Sequence, residues 1–134
     1  MYSSYLGIYA ARNEDLMVKI GILGAGSWGL GLAMLLNNNG HEVTVWSVFP
    51  DEIKELDETR ENKRCLPGVI FPEHIKFNAD TEYVVKNSDV LILAVASPYT
   101  RSTAKLIAPF VKEGQYIVNA VSYTHLTLPT KRIV

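Results

Sequence analysis

Cysteine is almost missing from this chain of 134 residues, in which Cys65 stands alone. One thiol excludes an intrachain disulfide and a thiolate metal cluster, and it suits a reduced intracellular protein. Long apolar runs are missing too: no stretch approaches the ~18 residues that a bilayer span requires. Nor is there an excess of one charge. Lys and Arg number 13 and Asp and Glu 14, for a net charge of −1. That balance removes the electrostatic argument for nucleic acid or an anionic membrane. Internal repeats and low-complexity segments are absent. The opening MYSSYLGIYAARNEDL has no basic n-region, no proper apolar h-region and no convincing cleavage site, which makes it a poor signal peptide. Residues 1–16 are expected to be an upstream extension, with Met17 as the natural start of a cytoplasmic protein.

What is present is an alternation of strand and helix signals. VKIGILG (18–24) is a short β-branched apolar run, as expected of a strand buried on both faces of a parallel sheet. LGLAMLLNNNG reads as a helix with Leu32, Leu35 and Leu36 on its inner face and Asn39-Gly40 as its stop. HEVTVWS (41–47) is a second strand, and DEIKELDETRENK a helix facing inward through Ile53 and Leu56. Pro67-Gly68 marks a turn, and HIKFN is a brief strand. TEYVVKNS is a short helix capped by Asp80 or Thr81. DVLILAVAS (89–97) is the most apolar strand, PYTRSTAKLIAPFVKEG is helical until Gly114, and QYIVNA is a fifth strand. This order predicts βαβ units with right-handed crossovers, a Rossmann-type doubly wound parallel α/β sheet.

Between the first strand and the first helix lies G-x-G-x-x-G, made by Gly24, Gly26 and Gly29. Gly24 permits the tight turn, Gly26 lets backbone approach a pyrophosphate, and Gly29 lets the helix pack close to the strand. The N–H groups of Ser27 and Trp28 would point at phosphates from the helix N-terminus. The pattern alone is weak evidence; its place in a strand–turn–helix makes it strong. The acidic partner for an adenosine ribose is expected ~20 residues on, at the end of strand two. There the sequence reads VTVWSVFPDE, with no carboxylate until Asp51 and no arginine for a 2′-phosphate, so NAD and NADP both stay open. Phe49 could pack on adenine or in the core. Ser97 and Tyr99 could face the nicotinamide, or Ser97-Pro98 could merely open the next helix. His41 is expected in the turn before strand two and His74 in a surface loop, and no metal site is expected.

GAGSWG (24–29), Trp46, RENKRCLPG (60–68) and AVASPY (94–99), in that order, resemble the NAD(P)-dependent glycerol-3-phosphate dehydrogenases over residues 17 to about 119. Ala96 departs from the pattern, standing where the family usually has proline. The resemblance implies interconversion of sn-glycerol 3-phosphate and dihydroxyacetone phosphate with NAD or NADP, at the entrance to glycerophospholipid synthesis. It also implies that Gly24, Ala25, Gly26, Ser27, Trp28 and Gly29 hold the dinucleotide, with Phe49 and Tyr99 lining it. A basic residue that many bacterial members carry near Val48 or Phe49 is missing, which puts NADP preference in doubt. The family's catalytic lysines, one after strand five and one in a helical substrate domain, have no counterpart here, so no catalytic residue is named. The full-length protein would take the two small phosphate substrates, with room for a homodimer. Runner-up readings are a ketopantoate-type reductase, against which RENKRCLPG argues, and a non-catalytic dinucleotide-sensing module.

The final stretch, VSYTHLTLPTKRIV, stands where the resemblance places the first lysine. Read back into allowed codons, VSYTHLTLPT matches the transposon-end adaptor ligated to DNA fragments in sequencing libraries. Residues 120–134 are therefore expected to be translated adaptor, and residues 17–119 an incomplete dinucleotide-binding domain that binds cofactor weakly and does not catalyse.

Overall fold

The computed structural model describes residues 17–120. The expectations for residues 1–16 and for the adaptor-like residues beyond 120 lie outside the described residues. Five parallel strands alternate with helices: β1 (Lys19–Leu23), α1 (Ser27–Asn38), β2 (Glu42–Trp46), α2 (Pro50–Thr59), β3 (Lys76–Phe77), α3 (Thr81–Lys86), β4 (Val90–Leu93), α4 (Thr100–Ile107) and β5 (Tyr116–Asn119). Short 3₁₀ turns at Ser97–Tyr99 and Ala108–Phe110 flank α4. Strand order is β3-β2-β1-β4-β5, all parallel. The order reverses between β1 and β4, and at that switch point open α/β sheets bind their ligands.

Both faces of the sheet are covered, because strand side chains alternate. Ile20, Ile22, Val43, Val45 and Ile92 pack with Leu30 and Ala33 of α1, Ile53 and Leu56 of α2, and Phe71. Leu23, Trp46, Leu91 and Leu93 pack on the other face with Val84 and Val85 of α3 and Ile107 of α4. A doubly wound α/β fold with short, almost wholly apolar central strands is what the sequence predicts.

Four local expectations change. In α1 the buried residues are Gly29, Leu30 and Ala33, whereas Leu35 is 56% exposed. Gly29 must lie against the β1 exit, and Leu35, six residues and about 600° further round, comes out on the solvent side. Helix α2 stops at Thr59 rather than Lys63: Arg60 adopts the left-handed conformation (φ 61°), and its N–H bonds to the Leu56 carbonyl. Strand β4 ends at Leu93 instead of Ser97. Helix α4 ends at Ile107, not at Gly114, because Pro109 cannot donate to the helical ladder and the chain tightens into a 3₁₀ turn before Val111 extends. The Asn39-Gly40 stop and the Asp80 cap are found as expected: Gly40 has φ 91°, and the Asp80 carboxylate accepts the Tyr83 N–H at 3.1 Å.

His41 stands in the turn before β2, its Nδ1 accepting the Val18 N–H, and His74 is exposed in the loop before β3. Trp46 is a core residue. Its indole N–H is shared between the Ala79 carbonyl (3.2 Å) and Thr81 Oγ1 (3.1 Å), tying β2 to the start of α3. Among the described residues no helix is long and apolar enough to cross a membrane, and no group of three His, Cys, Asp or Glu could hold a metal ion.

Candidate functional site

The glycine loop is built by contacts that leave no room for side chains. Gly24 has φ 131°, and a Cβ there would lie 2.6 Å from the Ala94 carbonyl oxygen at the exit of β4. A Cβ on Gly29 would lie 2.1 Å from the Gly24 carbonyl oxygen. Both positions exclude any larger residue on backbone grounds, with Gly24 also requiring a conformation that L side chains rarely adopt. Gly26 differs: a Cβ there meets nothing within 4 Å, because it would point into open space in front of α1.

That space faces an unsatisfied helix end. The first N–H groups of an α-helix have no intrahelical partner. Gly26, the N-cap residue of α1, gives no side-chain cap, and the first turn holds no acidic residue. Ser27 and Trp28 are exposed there. The N-terminal end of the 12-residue helix therefore presents bare donors and the positive end of its dipole to an open cradle, which suits an anion such as a pyrophosphate. The Trp28 indole reaches across the edge and donates to the Ala120 carbonyl at the end of β5. Ala25 is buried behind the loop.

The tip of β2 lies directly beside this cradle, since the Gly24 N–H donates to the Trp46 carbonyl at 2.8 Å. Ser47, buried, follows Trp46; its hydroxyl accepts the Phe49 N–H (3.1 Å) and donates to Glu52 Oε1 (2.8 Å). Sequence reasoning placed no carboxylate here before Asp51. The fold curls α2 back so that Glu52, third residue of the helix, brings its carboxylate to the strand tip. The signal was available: Glu at the third helical position reaches back toward the N-cap N–H, here through the Ser47 hydroxyl to Phe49. Phe49 is 55% exposed, which favours the ligand-facing alternative over the core. A cavity of about 470 Å³ opens beside it, lined by Glu52 of α2 and by Glu61, Asn62, Lys63 and Arg64 of the following loop, among others.

That loop joins the cavity to the glycine loop. Asn62, buried, donates from Nδ2 to the Ala25 carbonyl at 3.1 Å, while its Oδ1 accepts the N–H groups of Arg64 and Cys65. Glu61 accepts the Gly68 N–H, and the Arg60 guanidinium bonds to the carbonyls of Phe71, Pro72 and Ile75 while lying 4.7 Å over the Phe77 ring. The Arg-Glu-Asn triplet is thus a clamp, and its asparagine supports the cradle from behind. The sequence marks it only through the family resemblance.

Beyond β4, Tyr99 is 49% exposed in the 3₁₀ turn that Pro98 opens, with Ser97 half-buried. They share the carboxyl edge of the sheet with the cradle. The Thr100 hydroxyl oxygen next to them is buried with no hydrogen-bond partner among the described residues.

The sequence profile of the NAD-dependent glycerol-3-phosphate dehydrogenase N-terminus matches residues 19–122. The chain belongs to that family. It is 54% identical over 102 residues to a glycerol-3-phosphate dehydrogenase [NAD(P)+] of Agathobacter rectalis, a match covering 76% of this chain and 30% of the relative. The chain thus spans less than a third of the length of that curated relative. Among solved structures, the glycerol-3-phosphate dehydrogenase of Coxiella burnetii superposes with a TM-score of 0.75 at 29% identity, over 79% of this chain and 33% of that one. A ketopantoate reductase from Ralstonia eutropha shares the fold (TM-score 0.61, 21% identity, 78% of this chain and 34% of that one). At that identity the likeness is one of fold alone. The family is one of oxidoreductases, and its cofactor is a nicotinamide dinucleotide.

Proposed function

We propose that residues 17–119 are the dinucleotide-binding part of a cytoplasmic dehydrogenase that interconverts sn-glycerol 3-phosphate and dihydroxyacetone phosphate, feeding glycerophospholipid synthesis. The observation that carries this is the uncapped N-terminus of α1 behind the open flank of Gly26, in a chain that belongs to this family. Gly24 and Gly29 set the turn; Ala25, Gly26, Ser27 and Trp28 supply the backbone that takes the pyrophosphate. Phe49, exposed beside the cavity at the tip of β2, offers an aromatic face to the adenine. Tyr99, at the exit of β4, lines the nicotinamide side.

When bound, the nicotinamide supplies a hydride acceptor or donor. This chain's residues bind and orient it. By the family resemblance, the cation that polarises the substrate carbonyl follows β5 and the groups that grip the substrate phosphate belong to a helical substrate domain, so residues 17–119 are read as the cofactor-binding share of the reaction. The test has two arms. The chain titrated with NADH should quench the fluorescence of exposed Trp28 saturably, and absence of saturable binding rejects the reading. A protein carrying this domain joined to its substrate domain should oxidise NADH or NADPH when given dihydroxyacetone phosphate. No turnover with that substrate removes the assignment of reaction.

A further inference from the structure

The geometry points to a chain that selects NAD(H) over NADP(H), with Glu52 as the residue that decides it. The inference rests on the dinucleotide-binding reading above and deepens it. Three observations converge on the tip of β2. First, the Gly24–Trp46 backbone bond fixes the distance between the phosphate cradle and the strand tip, so a ribose following a pyrophosphate held at α1 arrives beside Ser47. Second, the group waiting there is a carboxylate. Glu52 Oε1 accepts from Ser47 Oγ at 2.8 Å, and Ser47 is itself buried and pinned by the Phe49 N–H. A carboxylate is an acceptor only, so it welcomes a ribose 2′-hydroxyl and repels a 2′-phosphate.

Third, the adjoining cavity does not compensate. Its lining carries four carboxylates (Asp51, Glu52, Glu55, Glu61) against two cations, Lys63 and Arg64. Those cations are exposed on a loop whose fixed points are backbone bonds to Asn62. No arginine stands between Trp46 and Glu52 to form a bidentate pair with a phosphate. A group held in place to hydrogen-bond a hydroxyl discriminates strongly against the analogue that lacks or masks it.

The purely structural role of Glu52 is as a relayed helix cap, and the experiment separates the two. The 134-residue chain, and its Glu52→Gln, Ser47→Ala and Asp51→Asn variants, are titrated with NADH and with NADPH, and the ratio of the two dissociation constants is read. The wild-type chain should bind NADH about tenfold or more tightly than NADPH. Glu52→Gln, which keeps shape and hydrogen-bonding capacity, should bring the ratio below about threefold, mainly by improving NADPH. Ser47→Ala, which releases the carboxylate without removing it, should fall between. Asp51→Asn removes a charge of the same sign from the cavity rim, one residue away, and should lower the ratio clearly less than Glu52→Gln does. Equal or tighter binding of NADPH by the wild-type chain overturns the selectivity claim, as does a ratio untouched by Glu52→Gln or moved equally by Asp51→Asn. Binding of neither dinucleotide overturns the cradle reading itself, so the two failures are distinguishable.

Discussion

Helices α1 and α3 both begin at the carboxyl edge of the same parallel sheet, and their first turns are built in opposite ways. Helix α3 is closed off. Asp80 accepts the Tyr83 N–H, Glu82 adds negative charge in the first turn, and Asn78 accepts the Asp80 N–H. Helix α1 is twice as long, so its dipole is fully developed, and it has neither cap nor acid. A helix whose stability alone mattered would have Ser, Asp or Asn where Gly26 stands. The difference shows that stability has been left unrealised at one helix end and not at the other. Helix α2 is intermediate: Asp51 and Glu52 occupy its first turn, but Glu52 reaches the N-cap only through Ser47. Each pattern tells what meets that helix end: protein at α3, a carboxylate shared with the site at α2, and open space at α1.

Substitutions that break this comparison fall in a clear order. Gly29→Ala should have the largest effect, since its Cβ would meet backbone 2.1 Å away and neither the turn nor the helix can yield. A loss of about 3 kcal/mol or more is expected in urea unfolding, with dinucleotide binding lost alongside. Asn62→Ala should cost about 2 kcal/mol, because the Ala25 carbonyl and two loop N–H groups lose a buried partner. It should also weaken NADH binding, as the cradle loses its support. Asp80→Ala should cost about 1 kcal/mol by removing the α3 cap, and leave NADH affinity unchanged within twofold. If Asp80→Ala altered affinity as much as Asn62→Ala, the separation between structural and ligand-facing helix ends would fail.

The architecture was legible because the apolar strands are short and continuous, and because the glycine loop sits between a strand and a helix. Helix limits were less so. Arg60 ends α2 in a left-handed conformation that glycine or asparagine usually signals, and three backbone carbonyls around its guanidinium hold it there. On α1, Leu32 and Leu36 pack against the core as expected, but Leu35 turns outward and the fully buried positions are Gly29, Leu30 and Ala33, because close backbone approach at Gly29 decides which face turns inward. In the site, the glycine loop could be read from its spacing together with its place between a strand and a helix. Glu52 was signalled only as the third residue of a helix, reaching back toward the N-cap through Ser47, and the role of Asn62 could not be read at all, since its partner Ala25 lies 37 residues away.

The most direct test is to give α1 the cap that α3 has. Gly26 has φ −79° and ψ −173°, extended backbone that any residue adopts, and open space for a side chain. Gly26→Asp should therefore stabilise the chain by about 0.5–1 kcal/mol in urea unfolding, through the cap and the dipole, and at the same time abolish NADH binding by placing a carboxylate in the cradle. Stabilisation with loss of binding is the result expected of a helix end kept open for an anion. Retention of wild-type NADH affinity by a folded Gly26→Asp chain would contradict the account.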